Sequence, residues 1–417
     1  MFVASSCVVA LGSGIDHNTH LSLLINTISI VTIMHHLVDR IQQQQDEEKK
    51  ILAAPMPPPQ EEKEPNANCA IFNKMMQDQI LEKCTNFTRS ELLDLFHRMQ
   101  PHFQAHRRRG PAPVTPPLDS LICILCMYKT GLDFDRLASM LAMKATTLRD
   151  VIDRVRPILY ATLTEAWWNR RQRPAPLLDT NYLHITLLVD ATSLQVFRPR
   201  GRFEEAQIYY DTKNGIYALK KEVAVMAKEP HYALFSSKAF IGADHDYKHF
   251  KNNYSMYLEY LKKDLEEKRL IDDPYAFWSI CADKGYIGPA SDTPEIRRIV
   301  PKKAPRTTAE KKENEEISKI RVKVECFFGR MTSKWVITRH VYRLDHSRFD
   351  MDLDNCILLT NEIIKKQSLV EQDREFLLKS IQARTQQQEE ARNKRRASYE
   401  KYKLEKKRRL QLVDANQ

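Results

Sequence analysis

Glycine is scarce, with ten in 417 residues, about a third of average usage. That excludes collagen-like and glycine-rich chains. It also weighs against a nucleotide site built on glycine loops, and neither a GxGxxG nor a P-loop pattern occurs. Cysteine is thin as well: the eight cysteines are spread along the whole length, unlike the dense pattern of a secreted disulfide scaffold. Cys123 and Cys126 form a CxxC, but inside the apolar string LICILC and with no second ligand pair at finger spacing. They read as core packing rather than zinc ligands. Long apolar runs are also missing. Met1–Leu11 lacks a basic flank, and Leu21–Leu37 is interrupted by Asn26, several Ser/Thr and His35–His36. A spanning helix needs about 20 apolar residues, so neither a membrane anchor nor a cleaved signal is expected.

What is present is a 42% apolar fraction and a net charge of +11. The first supplies a real core, and the length allows two or three domains. The second favours a polyanionic partner, either nucleic acid or an acidic membrane surface.

Four segments differ in character. Residues 1–72 carry the apolar leader, then QQQQDEEKK and PMPPPQEEKEP, which reads as a flexible linker. Residues 73–175 read as helical. Thr88 followed by Glu91 is a capping-box start, Leu118–Lys129 has helical period, and Gly131 breaks it. Phe134–Leu141, a turn near Ala142–Lys144 and Thr146–Leu159 then lay out helix, turn, helix. The second helix is expected to expose Thr146, Thr147, Arg149 and Arg154, groups able to meet phosphates and base edges. An ordinary helical bundle would show the same pattern.

Residues 176–366 change period. His184–Val189 and Ala276–Ala282 are buried-strand runs, Tyr217–Met226 and His231–Phe240 alternate as a hairpin, and Asp246–Lys268 and Thr308–Met331 read as helices. Strands mixed with helices give an α/β domain. Residues 367–417 are charged, without a strong apolar stripe, and contain Asn393-Lys394-Arg395-Arg396 and Lys406-Lys407-Arg408-Arg409. A solvated helix is the plain reading; a nuclear import signal or DNA-backbone contact is the functional one.

Two of the apolar strands are read as ending in an acid, Asp190 after LLV and Asp283 after ICA, and a third acid, Glu325, sits in RVKVECFFGRM. Ligands of open α/β sheets gather at the carboxyl ends of strands. Three carboxylates converging there would repel one another. A hard divalent cation relieves that repulsion, and two such ions can assist both the attacking and the leaving oxygen of a phosphodiester. Taken singly, each acid also fits a plainer role: a cap for the two aspartates, a pairing with Arg321 for Glu325.

The motifs in order are Val189-Asp190-Ala191-Thr192 with Pro199, Tyr209-Tyr210-Asp211-Thr212-Lys213, Gly242-Ala243-Asp244-His245-Asp246, Ala282-Asp283-Lys284-Gly285-Tyr286, and Asn314, Ser318, Arg321, Glu325, Phe328-Gly329 with Lys334-Trp335. Together they resemble the PIF/Harbinger-type DDE transposases and their transposase-derived nuclease relatives, over roughly residues 85–365. The resemblance implies a ribonuclease H-like catalytic core, with Asp190, Asp283 and Glu325 as the catalytic, metal-binding triad for Mg2+ or Mn2+. It also implies that the upstream helices form a helix-turn-helix DNA-binding region. His245 and Asp246 match a motif of that family to which no catalytic role is assigned, and Asp246 equally fits a cap for the following helix. The expected activity is cleavage of DNA phosphodiesters, with or without strand transfer. Lys213, Lys284 and the Arg297–Arg306 basic cluster are expected to hold phosphates. Expected partners are DNA, a Myb-like accessory protein and a second copy of the chain, in the nucleus if the source is eukaryotic. The alternatives are a host-adopted DNA-binding or scaffold protein without catalysis, and a hydrolase of small phosphoesters. The second is disfavoured by the basic excess.

Overall fold

The computed structural model describes residues 68–106, 114–169, 182, 184–264, 267–268 and 274–414. The leader and most of the Pro/Glu linker lie outside the described residues. The described helical part opens at Ala70, slightly earlier than the linker reading to 72 implies.

Helices come first: α1 (Ala70–Gln77), α2 (Leu81–Thr85), α3 (Arg89–Ala105), α4 (Pro117–Thr130), α5 (Phe134–Met140) and α6 (Ala145–Trp167). The Thr88 capping box forms at the start of α3: Glu91 N donates to Thr88 Oγ1, and Thr88 N donates to Glu91 Oε2 at 2.8 Å. Such a cap contributes about 1 kcal/mol. From Leu118 to Tyr128 helix α4 is buried all round, Cys123 and Cys126 included, so the CxxC is core. Its one buried acid, Asp119, accepts from Phe72 N and Ile71 N at 2.9 and 3.2 Å. It thereby satisfies two amides at the start of α1 that have no intrahelical acceptor.

The second half alternates strands and helices: β1 (Ile185–Gln195), α7 (Phe203–Gln207), β2 (Tyr210–Asp211), β3 (Ile216–Met226), β4 (Ala233–Ser236), β5 (Phe240–Ile241), α8 (Asp246–Asn252), α9 (Tyr254–Leu261), β6 (Ser279–Ala282), β7 (Arg298–Ile299), α10 (Thr308–Lys334), α11 (Phe349–Ile364) and α12 (Glu371–Asp414). The strands form one mixed sheet in the order β2-β3-β1-β6-β7, with β4 and β5 also paired to β3. β1 is antiparallel to β3 and parallel to β6. The expected hairpin is β3/β4, although the run to Phe240 divides into two short strands. The expected helix from Asp246 breaks at Asn253, and α9 ends at Leu261.

Side chains alternate across the sheet, and each face has its own core. Leu187, Val189, Ala224 and Met226 pack with Phe250 and Tyr257 of α8 and α9. Leu188, Val223 and Val225 share the opposite cluster with α4, α6, α10 and α11. Buried polar ties fix that second layer. Asp352 on α11 accepts from Tyr128 Oη at 2.7 Å, Arg156 Nε at 2.6 Å and Tyr342 Oη at 2.8 Å. Asn361 both donates to and accepts from the backbone of Ala233, at 2.9 Å each way, locking α11 to β4. Buried acids and amides are tolerated when fully partnered in this way. No helix among the described residues is long and apolar enough to cross a membrane.

Candidate active site

The register of one strand pair brings the first two acids together. β1 and β6 run parallel, and their last paired residues are Val189 and Ala282. The next residue on each chain is Asp190 and Asp283, so the two carboxylates leave the ladder at the same level. β6 ends there, as expected from the sequence. β1 does not: it continues to Gln195, held by β3 from Asp190 opposite Val223 to Gln195 opposite Ala218. Asp190 is therefore a mid-strand residue, and the edge it faces is made by the end of its neighbour. Alternation places it on the same side as Leu188, toward α10.

Helix α10 brings the third acid. Its start is closed by a capping box of Thr307 and Glu310. Further along, Val324, Phe327, Phe328 and Met331 are buried, while Arg321 and Glu325, one turn apart, stand half-buried at the sheet edge. The Arg321 guanidinium touches all three acids: Asp283 Oδ1 at 3.4 Å, Asp190 Oδ2 at 3.7 Å and Glu325 Oε1 at 3.9 Å. Two more cations close the cluster. Lys213 Nζ lies 3.5 Å from Asp283 Oδ2, and Arg374 Nε donates to Glu325 Oε2 at 2.7 Å.

Their surroundings divide the two aspartates. Burial pushes the Asp190 carboxyl up to about 6, helped by neighbouring Asp283 and opposed by Arg321. Burial acts in the same direction on Asp283, but Arg321, the Lys284 amide and Lys213 outweigh it and hold that carboxyl below its usual range. Lys213 in turn is held above the usual ammonium range: Asp283, Asp190 and Asp246 together outweigh the opposing effect of burial. Acids whose surroundings push them apart in this way occur at functional sites and in structural ion-pair networks alike.

Arg374 belongs to the charged tail, which sequence reading set apart from the site. The first turn of α12 docks on α10. Buried Arg330 donates to both oxygens of Asp373 at 2.8 Å, and to the carbonyls of Gln367 and Ser368. Gly329 lies against the Asp373 carbonyl so closely that a Cβ would overlap it. The only sequence signal was Phe328-Gly329-Arg330 itself, a glycine inside a long helix.

The other expected residues fall as follows. Lys284 is exposed in the turn after Asp283. Thr146, Thr147, Arg149 and Arg154 lie on α6. Thr146 and Arg149 are exposed, with Arg149 over the Phe134 ring at 5.0 Å, but Thr147 and Arg154 are half-buried. The basic cluster after Ile296 is partly consumed by structure. Arg297 stacks on Tyr275 at 3.9 Å, and Arg298 donates to the carbonyls of Tyr286, Gly288 and Pro289. Nor is Asp246 the helix cap: His245 is, its Nδ1 accepting from Tyr247 N at 3.3 Å. Asp246 instead pairs with Lys220 at 3.4 Å and faces Gly285, where an added Cβ would stand 3.0 Å from Oδ2. It is a fourth carboxylate beside the site, facing the turn that follows Asp283.

As a donor set, three carboxylates on three separate elements suit a hard divalent cation in kind. Arg321 stands among them. Among the described residues no group of three His, Cys, Asp or Glu side chains is gathered tightly enough to hold a metal ion.

Residues 189–361 match the family described as DDE superfamily endonuclease. The matched span opens one residue before Asp190 and contains Asp283 and Glu325. Neither the curated proteins nor the solved structures gave a significant match to the chain.

Proposed function

We propose, from this match and the carboxylate cluster, that the chain is a transposase-like, metal-dependent DNA endonuclease of the PIF/Harbinger kind. In this reading the sheet and its flanking helices are a ribonuclease H-like core, and α5 and α6 are a helix-turn-helix that meets DNA through Thr146, Thr147, Arg149 and Arg154. One observation carries it: acids 93 and 42 residues apart in sequence, Asp190 to Asp283 and Asp283 to Glu325, meet at one guanidinium. Neither caps nor local pairs require that convergence.

Asp190, Asp283 and Glu325 would hold Mg2+ or Mn2+, which when bound neutralises phosphate charge and acts as a Lewis acid on the phosphodiester. The chain's own groups supply the rest. The fixed β1–β6 register holds two of the acids rigidly, so positioning contributes to the rate. Lys213 and Lys284 present cations on the solvent side of Asp283 to hold the DNA backbone. Asp246 keeps Lys220 and the Asp283 turn in place. Arg321, the counter-ion of the free site, must give up its contacts with the acids when they take a cation. Strand transfer, a Myb-like partner, pairing of two copies to hold two DNA ends, and a nuclear location all belong to the same proposal.

A DNA-binding protein without catalysis is the second reading. It is favoured by the Arg321 and Arg374 contacts, which already neutralise the acids without metal. Incubation of the full chain with supercoiled plasmid and Mg2+ or Mn2+ tests the two. Cleavage that disappears in Asp190→Ala and Asp283→Ala, with DNA binding retained, supports the nuclease. Cleavage that survives both substitutions overturns the triad, and binding without cleavage in either metal supports the second reading.

A further inference from the structure

The segment that leaves β1 reads Val196-Phe197-Arg198-Pro199-Arg200-Gly201-Arg202-Phe203. Phe197 is 60% exposed and Phe203 65% exposed, among the most accessible aromatic rings of the described residues. Ile208 and Tyr210 extend the same exposed stretch. The three arginines between the rings are exposed as well, and no hydrogen bond or ion pair holds the Arg198 or Arg200 side chain among the described residues. The base of the loop is firm: Val196 is buried, its amide donates to Tyr217 O at 2.8 Å, and it bridges to Tyr342. Two aromatic rings are thus held in water on either side of three cations, on a rigid stem.

This combination suits one ligand class. Guanidinium groups pair with phosphates, and flat rings stack on base faces. In an intact duplex those faces are covered by neighbouring bases, so rings of this kind gain contact only where bases are unpaired or splayed out. The loop also has a defined offset from the acids. Val196 lies six residues beyond Asp190 along the extended chain, about 20 Å at roughly 3.4 Å per residue. With one phosphate on each strand per about 3.4 Å of duplex axis, that offset corresponds to roughly six base-pair steps of duplex.

We propose that residues 196–203 form a stacking clamp for unpaired bases flanking the phosphodiester that the site cleaves. The proposal rests on the nuclease reading and adds a substrate class to it: DNA whose strands are parted beside the cut.

The test is fluorescence anisotropy with the full chain, using a labelled single strand of about 20 nucleotides and a blunt duplex of the same sequence. Each stacked ring contributes about 5- to 150-fold in affinity. Phe197→Ala/Phe203→Ala is therefore expected to bind the single strand at least about tenfold more weakly, with duplex affinity changed less than about twofold. Phe197→Trp/Phe203→Trp is expected to keep single-strand binding. Arg198→Ala/Arg200→Ala is expected to weaken both ligands and flatten the salt dependence. Both rings are exposed, and an unchanged melting temperature of each variant verifies the fold. Unaltered single-strand affinity in the alanine pair, or an equal loss for duplex, overturns the clamp. So does a change from dimer to monomer by light scattering with DNA affinity intact, which would assign the rings to an interface between copies. If the wild-type chain binds neither DNA, the nuclease reading fails; if it binds both and the alanine pair matches it, only the clamp fails.

Discussion

Arg374 donates to Glu325, 49 residues earlier in the chain, at 2.7 Å. A residue of the tail helix thereby shares a carboxylate with the sheet-edge cluster, and the two cannot be treated as separate modules. The docking beneath it is tight, through the Arg330–Asp373 pair and the cleft at Gly329. Gly329→Ala is expected to push the first turn of α12 off α10 and to cost several kcal/mol, about the scale of overpacking and a lost buried pair together. Arg374→Ala, at a partly exposed pair, should cost about 1 kcal/mol or less. Denaturant unfolding measures both. Early tryptic release of the tail in Gly329→Ala alone would confirm the ranking, and equal behaviour of the two variants would refute it.

Arg321 should be the residue on which the metal-free site depends. Among the described residues it is the one cation in contact with all three acids. Arg321→Gln leaves them facing each other, so the metal-free protein should lose about 1–3 kcal/mol. Added Mn2+ should then raise the melting temperature of the variant more than that of the wild type. A variant whose stability and metal response both match wild type would remove Arg321 from this role.

Metal affinity should depend on the acids themselves. Calorimetric titration of Mn2+ into the full chain should give binding that Asp190→Asn and Asp283→Asn each weaken at least about tenfold, roughly 1.4 kcal/mol. Asp246→Asn, outside the proposed triad, should change it far less. Equal losses in all three variants would place the ion elsewhere at the sheet edge.

Glu222, on the other face of the sheet, predicts a pH dependence of its own. It is buried on β3 and accepts from Tyr257 Oη at 2.8 Å and Asn253 Nδ2 at 3.1 Å, while its Oε2 has no partner among the described residues. Burial pushes its carboxyl from 4.5 up to about 7, against the opposing effect of these hydrogen bonds. The folded pKa is raised, so the stabilisation by the neutral acid is fully present below pH 4.5 and lost as pH rises through 7. Glu222→Gln, which cannot titrate, should match wild type near the lower limit and exceed it at pH about 8 by on the order of 3 kcal/mol. Urea unfolding at the two pH values decides it, and a constant difference between them would contradict the assignment.

Much of the site could be read from the sequence because its parts are local. The strand runs before Asp190 and Asp283, the amphipathic helix around Glu325 and the Thr88 cap depend on neighbours within a few residues, which periodicity reports. What escaped reading depends on distant partners. β1 continues past Asp190 because β3 supports it, not because of its own composition. Asp246 does not cap its helix because Lys220 and the Gly285 turn engage it and His245 takes the cap. Arg297 and Arg298, expected on the DNA side, are engaged by Tyr275 and by backbone carbonyls. The tail looked solvated because its docking is confined to its first turns, where Asp373 and Arg374 are joined by half-buried Phe376 and Leu377, too few apolar residues to leave a stripe along a long helix.

The pairing of Val189 with Ala282 carries a last consequence, about what this chain can tolerate. Because side chains alternate strictly along a strand, the site depends on the parity of a short count and not on the long distances between acids. Residues could be added to the connections between β3 and β6 without moving either aspartate. One residue inserted in β1 between Leu188 and Asp190 would instead turn Asp190 to the α8/α9 side of the sheet, and a second insertion would turn it back. Odd and even insertions at that point should therefore differ more in effect than short and long ones elsewhere.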